Sequence, residues 1–274
     1  MPQRKPPRGK PFVRDRQPRR PGRPFHRGEL PRRHERDTVI LYGWHPVTLA
    51  LANPQRRVRR LYATENAARR LAEENISTGV TPEIVRPDTI AAQLPPDAVH
   101  QGLLAEADPL PAPSVETLTT DGVVLVLDQI TDPHNVGAIL RSAAAFAVKA
   151  IVTTQRHSPE ATGVLAKSAS GALEYVPFVA VQNLARALAE LKARGFTAVG
   201  LDSSGSADLA SIDLRAPVAL VLGAEGKGLR QLTRETCNVV ARLDLPGEIK
   251  SLNVSNAAAL ALYIVASRLA AVSA

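Results

Sequence analysis

One polar stretch follows an apolar run and carries residue types suited to ligand binding and to charge stabilisation. The run Val123 to Leu127 predicts a buried strand, and the segment Asp128 to Phe146 continues it with a proline-containing turn and an alanine-rich helix. Pro133 disfavours helix at the residue before it, and Asn135 is predicted to cap the helix that follows. Arg141 then stands alone among small residues, either as a solvated charge or as a cation for an anionic substrate.

A second polar stretch follows another apolar run and is rich in glycine. Residues Leu222 to Leu229 read LGAEGKGL, where the glycines permit unusual backbone angles and close ligand contact and Glu225 supplies a carboxylate. The stretch is not a Walker A loop, because Gly226 and Lys227 are followed by glycine rather than by Ser or Thr. Its glycine spacing also differs from the dinucleotide-binding fingerprint. Taken alone, it is as typical of a tight turn as of a ligand site.

A third polar stretch, Ile249 to Ala258, reads IKSLNVSNAA and precedes an apolar helical pattern. Its short hydrogen-bonding side chains are Ser251, Asn253, Ser255 and Asn256. Four such residues exceed what a single helix N-cap requires. The stretch is therefore either a redundant cap or part of a polar site.

Strands and helices alternate from Asp121 onward. Strands are predicted at residues 123–127, 150–153, 176–181, 197–201, 217–222 and 239–243, and helices up to 148, near 161–170, at 184–194, after 228 and at 254–269. This alternation predicts an α/β fold with a mostly parallel sheet covered by helices on both faces. The first polar stretch is then expected at the carboxyl edge of the sheet, where α/β proteins build ligand sites.

A smaller α/β unit is predicted before this region. Short strands are predicted at residues 38–42, 57–63, 83–85 and 102–105, with helices at 47–52 and 65–74, the first of them with Pro46 at its start. The segment Asp108 to Ser114, DPLPAPS, indicates a linker. The predicted division is a tail of residues 1–37, a unit of residues 38–107, a linker of residues 108–120 and a second domain of residues 121–274.

The positive charge of the chain is concentrated at its N-terminus. Residues 1–37 contain 13 of the 34 Lys and Arg but only 4 of the 26 Asp and Glu, a net charge of +9, which leaves −1 for the remainder. Few apolar residues and many prolines predict a disordered arm of the kind that attracts polyphosphates. The arm lacks the apolar segment of a secretory signal, and its prolines disfavour the amphipathic helix of a transit peptide.

Cysteine, histidine and hydropathy exclude several classes of protein. Cys237 is the only cysteine, which excludes an intramolecular disulfide framework and a Cys-rich zinc site and indicates the cell interior. The six histidines show no metal-ligand spacing. No apolar run reaches the roughly 18 residues that a membrane span needs, the closest being the helix after Asn256. We therefore expect a cytoplasmic protein with neither a metal nor a membrane segment.

Taken in order, the three polar stretches resemble the SpoU (TrmH) family of RNA ribose 2′-O-methyltransferases, within the SPOUT superfamily. The matching motifs, between about residues 121 and 271, are Asn135-x-Gly137-x-x-x-Arg141, Gly223-Ala224-Glu225-Gly226-x-Gly228 and Ser251-Leu252-Asn253-Val254-Ser255. The resemblance implies a trefoil knot in the second domain, an S-adenosylmethionine pocket lined by the loops of the knot, and a homodimer.

The resemblance also implies roles for individual residues. Arg141 is the catalytic residue, Asn135 and Glu225 orient it, and Ser251 and Asn253 shape the pocket. The residues implied to bind the cofactor are Gly223, Leu222, Leu243, Leu252 and Leu201. Since a guanidinium hardly ever loses its proton, we expect Arg141 to bind the target phosphate and stabilise the developing alkoxide. The RNA phosphate or water would then accept the proton.

The first domain resembles the L30e/L7Ae-like substrate-binding domain of many family members, on the residues Tyr42-Gly43-x-x-Pro46-Val47. This arrangement implies methylation of a guanosine in large-subunit ribosomal RNA. One alternative is a transfer RNA substrate, although the simplest tRNA-modifying members lack this first domain. A second alternative is a non-catalytic RNA-binding or ribosome-assembly protein, against which the intact motifs argue.

We predict that deleting residues 1–37 raises the KM for RNA at moderate salt and flattens the salt dependence of RNA binding. The arm holds no fixed geometry with which to position a ribose, so kcat and the affinity for S-adenosylmethionine should not change. The measurement is RNA affinity at two salt concentrations, with and without the arm. Equal salt slopes would make the arm a dispensable extension, and a collapsed kcat would assign it to the active site.

Overall fold

The computed structural model of the protein describes residues 38–156 and 163–273. The tail of residues 1–37, predicted to be disordered, and His157 lie outside these residues. All elements of the fold named below belong to the described ranges.

Residues 38–107 form a small mixed α/β unit. Its elements are β1 (Val39–Tyr42), α1 (Trp44–Ala52), β2 (Val58–Ala63), α2 (Glu65–Glu73), β3 (Glu83–Ile84), α3 (Pro87–Ala91) and β4 (Leu103–Ala107). The strand order is β1-β4-β2-β3, in which β4 pairs antiparallel with both β1 and β2, and β2 pairs parallel with β3. The strands predicted in this unit are confirmed.

Residues 115–273 form a larger α/β unit around a seven-stranded sheet. Its strands are β5 (Val123–Asp128), β6 (Ala150–Thr154), β7 (Phe178–Val181), β8 (Thr197–Leu201), β9 (Ala207–Asp208), β10 (Val218–Gly223) and β11 (Val239–Arg242). Its helices are α4 (Pro133–Ala145), α5 (Gly163–Ser168), α6 (Leu184–Ala193), α7 (Gln231–Thr236) and α8 (Val254–Ser273), with 3₁₀ turns at Val115–Thr117 and Ala172–Glu174. The strand order is β7-β6-β5-β10-β8-β11-β9, and every pairing is parallel.

The core of this unit lies on both faces of the sheet. Alternate residues of β5 point to opposite faces, so that Leu125 and Leu127 pack with α4 and α8 while Val124 and Val126 pack with α6. All of β5 is buried. The predicted parallel sheet, covered on both faces, is therefore confirmed. Strand order alone does not test the predicted trefoil knot, which stays a prediction.

Several local predictions were wrong. Helix α1 begins at Trp44 rather than at Val47, because Gly43 already supplies the extended turn before it, with φ of 92°. The short elements α3 and β9 were not predicted, since two to five residues carry little periodicity. Asn135 does not cap α4: the cap is Asp132, whose side chain accepts a hydrogen bond from the backbone N–H of His134.

Helix α8 is longer and more apolar than expected. The window Val254–Ala271 has a mean hydropathy of 1.4, enough in length and composition alone for a membrane span, against the sequence-based expectation. A helix in a protein core satisfies the same criteria, and buried α8 residues such as Ala258, Leu262 and Val265 belong to the main hydrophobic core. Leu260 and Tyr263 are exposed on the same helix, so α8 combines a packed face with an apolar outer surface.

A buried ion pair joins the two α/β units. The guanidinium of Arg56 lies 2.6 Å from the carboxylate of Glu174, and their side chains are only 4% and 3% exposed. The amide of Asn53 donates to the same carboxylate at 2.8 Å, and Arg56 also donates to the backbone carbonyl of Asp108 at 2.8 Å. Residues 118 positions apart in the chain are thereby held together without access to water.

We predict that Arg56→Met lowers the free energy of unfolding by about 3–5 kcal/mol, because it leaves the carboxylate of Glu174 buried without its partner charge. Chemical denaturation followed by circular dichroism measures this change. The matched control is Arg215→Met, which removes an arginine from an ion pair whose side chains are 77% and 75% exposed. The control should have little effect. Equal effects of the two substitutions would contradict a structural role for the buried pair.

Candidate functional site

A cavity of about 310 Å³ lies at the carboxyl edge of the larger sheet, where β8 and β10 end. All five residues predicted to bind the cofactor line it: Leu201, Leu222, Gly223, Leu243 and Leu252. Glu225 and Ser251 also line it. Further lining residues that the sequence analysis did not identify include Asp202, Ser203, Leu245, Lys250, Val254 and Ala257. Asn135, Arg141 and Asn253 are not among the lining residues.

The glycine-rich loop after β10 folds closely back on itself. A Cβ atom on Gly223 would lie 2.2 Å from the carbonyl carbon of Gly228, so a larger residue cannot occupy this position. Gly228 has φ of +63°, and a Cβ atom there would lie 2.4 Å from a carboxylate oxygen of Asp202. Gly226 also has a positive φ but faces open space. Packing therefore requires glycine at position 223, and the positive φ of residue 228 favours glycine there as well.

Asp202, directly after β8, holds this loop in place from the neighbouring strand. Its carboxylate accepts hydrogen bonds from the backbone N–H of Leu229 at 3.3 Å and from the backbone N–H and hydroxyl of Ser204 at 2.9 and 2.6 Å. Burial alone would raise the pKa of Asp202, but these hydrogen bonds and the charge of Arg234 lower it below its ordinary value. Asp202 is therefore an ionised anchor at neutral pH.

A second carboxylate fixes the residue that follows, Arg230, at the same end of the loop. Asp128, the last residue of β5, has a fully buried side chain and pairs with the guanidinium of Arg230 at 2.6 Å. It also accepts a hydrogen bond from the backbone N–H of Arg230 at 3.0 Å. The loop is thus held against the ends of both strands that flank β10. No local sequence signal joins these two residues, which lie 102 positions apart.

The three polar stretches meet at the side chain of Asn253. Its amide nitrogen donates to the side-chain oxygen of Asn135 at 3.0 Å and to the carboxylate of Glu225 at 2.8 Å. The same carboxylate oxygen accepts a hydrogen bond from the backbone N–H of Val254 at 3.0 Å. Residues from the first turn of α4, the glycine loop and the start of α8 therefore form one hydrogen-bonded group beside the cavity.

Asn253 also caps α8, which begins at the next residue. Its side-chain oxygen accepts hydrogen bonds from the backbone N–H of Ser255 at 2.9 Å and from the hydroxyl of Ser255 at 2.6 Å. A helix cap and a polar contact group are therefore compatible interpretations of this stretch. The side-chain oxygen of Asn253 caps the helix, and its side-chain nitrogen contacts the other two segments.

Arg141 lies on the exposed surface of α4. Within residues 38–156 and 163–273 it makes no hydrogen bond or ion pair. The structure therefore joins Asn135 and Glu225 through Asn253 and does not bring either of them into contact with Arg141. A guanidinium without a protein partner can bind an anion from solution.

Thiol and metal chemistry find no support in the described part of the chain. Burial raises the pKa of Cys237 to about 11, so that its thiol is protonated and unreactive at neutral pH. Among residues 38–156 and 163–273, no group of three or more His, Cys, Asp or Glu side chains is arranged to hold a metal ion.

The site combines a small-molecule cavity with a polar group that includes the first turn of α4, the helix on which Arg141 is exposed. Leucine side chains and the backbone of the glycine loop form its wall, and a hydrogen-bonded polar group lies at its edge. Cavities of roughly 300–1,000 Å³ with apolar walls and a few polar groups are typical of small-molecule sites. The arrangement can hold a small ligand while Arg141 binds an anionic second substrate.

Comparisons with known proteins agree over both units. A sequence model of the SpoU rRNA Methylase family matches residues 122–263, and a model described as RNA 2′-O ribose methyltransferase substrate binding matches residues 40–113. The chain is 38% identical over 232 residues to a Pseudomonas aeruginosa protein named 23S rRNA (guanosine-2′-O-)-methyltransferase RlmB, which covers 81% of this chain and 94% of that protein.

Two solved structures show how far the fold extends. The SpoU methyltransferase AviRb from Streptomyces viridochromogenes, in complex with AdoMet, matches 86% of this chain and 92% of its own, with a TM-score of 0.73 and 25% identity. The A. aeolicus TrmH/SpoU tRNA modifying enzyme matches 56% of this chain and 78% of its own, with a TM-score of 0.50 and 25% identity. The match of the family model to more than half of the sequence, with a relative that is similar along most of its length, means that this chain belongs to the SpoU rRNA methylase family.

Proposed function

We propose that the protein transfers a methyl group from S-adenosylmethionine to the ribose 2′-hydroxyl of a guanosine in 23S ribosomal RNA. The observation that carries this proposal is the similarity of both units to a relative of that name, over 94% of its length. The A. aeolicus tRNA modifying enzyme matches little more than half of the chain, which favours ribosomal over transfer RNA. The hydrogen-bonded group around Asn253 supports an active enzyme rather than a non-catalytic RNA-binding protein.

The cavity at the carboxyl edge is the proposed site for S-adenosylmethionine. Its leucines, among them Leu201, Leu222, Leu243 and Leu252, provide an apolar wall for the adenosyl group. Gly223 leaves backbone groups open to the ligand. When bound, the cofactor supplies a methyl group on a positively charged sulfur atom. Ser251 shapes the polar edge of the pocket, next to Glu225.

Arg141 is the proposed catalytic residue, acting by charge stabilisation. The guanidinium binds the phosphate of the target nucleotide and stabilises the negative charge that develops on the ribose 2′-oxygen. It cannot act as a general base at neutral pH, because it stays protonated. Asn253 holds Asn135 and Glu225 at fixed positions beside the cavity and so keeps the first turn of α4, which leads to Arg141, aligned with the cofactor site.

The proposal assigns a separate role to each part of the chain. Residues 38–107 bind the RNA, residues 108–120 connect the units, residues 121–274 hold the cofactor and carry out the transfer, and the basic tail of residues 1–37 adds long-range attraction. A cytoplasmic location is part of the proposal, because the substrate is ribosomal RNA. The protein acts as a homodimer through α8, whose outer face exposes Leu260 and Tyr263.

We predict that the purified protein transfers radiolabelled methyl groups to 23S ribosomal RNA in preference to transfer RNA, and that the label maps to the 2′-oxygen of a guanosine. Arg141→Ala should lower kcat by about 10²–10³, because the developing charge loses its stabilising cation. Calorimetric titration should show nearly unchanged affinity for S-adenosylmethionine, since Arg141 does not line the cavity.

The matched control is Arg186→Ala, which removes an exposed arginine from α6, on the opposite face of the sheet. This variant should retain wild-type kcat. A folded Arg141→Ala protein that no longer binds S-adenosylmethionine would overturn the assignment of roles. Equal transfer to tRNA by the wild type would favour the alternative substrate.

We predict that the full chain sediments as a dimer at micromolar concentration and that Tyr263→Glu shifts it towards the monomer. The substitution places a charge on the apolar outer face of α8, where Tyr263 is 60% exposed. Tyr175→Glu is the control, because Tyr175 is 65% exposed but lies outside α8. Analytical ultracentrifugation measures both. A wild-type monomer that methylates RNA at full rate would contradict the proposed dimer.

A further inference from the structure

A polar contact between the two units lies apart from the cavity described above. The ammonium group of Lys167, on α5, lies 3.4 Å from the side-chain carbonyl oxygen of Gln101, in the turn before β4. The same oxygen accepts a hydrogen bond from the backbone N–H of Trp44 at 2.9 Å. Gly43 makes room for the lysine, because a Cβ atom there would lie 2.5 Å from its nitrogen.

These contacts fix the orientation of the Gln101 amide. Its oxygen faces Trp44 and Lys167, so its nitrogen, which carries two donor hydrogens, is directed away from them. That nitrogen makes no hydrogen bond with the described residues, and the side chain is exposed. Gln101 also has a positive φ of 52°, which is unusual for a residue other than glycine. Strained backbone of this kind concentrates at binding sites.

Lys167 has no carboxylate partner among residues 38–156 and 163–273. Within the two described ranges it forms no ion pair, whereas Lys149 pairs with Asp121 at 2.7 Å. Burial lowers the pKa of Lys167 from its ordinary value, which reflects the cost of holding an ammonium group partly away from water. Such a charge is stabilised when an anion binds beside it.

The contact of Lys167 with Gln101 lies between α4, the helix that carries Arg141, and a groove on the smaller unit. Ser168, next to Lys167, places its hydroxyl 3.4 Å from the ring nitrogen Nδ1 of His134 in the first turn of α4. Arg141 follows His134 by two helical turns, a rise of about 10 Å. On the other side, a groove of about 310 Å³ is lined by residues that include Gln101, Trp44, Asn66, Arg70 and His100.

We propose that Lys167 and the side-chain amide of Gln101 bind a phosphate of the RNA at the boundary between the two units, next to the target nucleotide. After the contacts with the described residues, four donor hydrogens remain on Lys167 and Gln101, and they suit a phosphate, which only accepts hydrogen bonds. The RNA strand then runs from the groove beside Trp44 to Arg141. Lys167 and Gln101 are positioning residues that set how the ribose enters the site, an inference that rests on the proposed methylation of RNA.

Gln101→Glu separates this role from a purely structural one. A glutamate keeps an oxygen for Trp44 and gains an ion pair with Lys167, so a structural contact would be preserved or strengthened. A phosphate site would lose two donors and gain a repelling charge. We expect the KM for 23S ribosomal RNA to rise by at least about tenfold, the value for a single lost charge-assisted hydrogen bond, with an unchanged affinity for S-adenosylmethionine.

Lys167→Gln provides a second, quantitative readout. It should make the slope of log affinity for RNA against log salt less steep by about 0.7–0.9, the contribution of one phosphate contact. Lys149→Gln removes the same charge directly before the start of β6, where Lys149 is already paired with Asp121, and should leave the slope at the wild-type value. Lys167→Arg should restore much of the slope. Melting temperatures check that each variant is folded.

The outcomes distinguish this inference from the proposed function. A wild type that does not methylate 23S ribosomal RNA would overturn the proposed function. A wild type that methylates it, with a wild-type KM for Gln101→Glu and a wild-type salt slope for Lys167→Gln, would overturn the phosphate site alone. Loss of S-adenosylmethionine binding in either folded variant would also overturn it, because the proposed contact lies outside the cofactor cavity.

Discussion

The amide of Asn253 is the contact on which the geometry of the site depends. Its nitrogen reaches the first turn of α4 through Asn135 and the glycine loop through Glu225, and its oxygen caps α8 by accepting the N–H of Ser255. An amide is suited to this position because it carries a donor and an acceptor at one end of a short side chain. A carboxylate could cap the helix, but it would repel Glu225.

The network around Asn253 can form only because the sheet already holds the glycine loop close to it. Asp128 is the last residue of β5 and Asp202 follows β8, the two strands on either side of β10, and both accept backbone hydrogen bonds from the residues that end the loop. Gly223 and Gly228 lie too close together for any side chain at position 223. In our proposal the glycine loop therefore forms the wall of the cofactor cavity before the ligand binds. This preformed wall reduces the conformational entropy that is lost on binding.

The sequence predicted most of the sheet and the cavity wall because these features have local signals. Apolar runs of five or six residues predicted the buried strands, and the leucines at strand ends proved to lie together around one cavity. The prediction of Asn135 as the cap of α4 was wrong, because Asp132 and Asn135 are both suitable cap residues and only the backbone path decides between them. Contacts such as Arg56 with Glu174 could not be predicted, since residues 118 positions apart share no periodic pattern.

The arginine and lysine side chains discussed above differ in whether a carboxylate of the protein neutralises their charge. Arg56 and Arg230 each contact a buried carboxylate, so their charges are used to hold the fold together. Arg141 and Lys167 form no ion pair within the described residues, and Lys167 is partly buried. A partly buried cation without a counter-charge lowers stability unless something else compensates. In our proposal the bound RNA supplies that compensation for Lys167, and the charges of Arg141 and Lys167 both strengthen the complex of the enzyme with RNA.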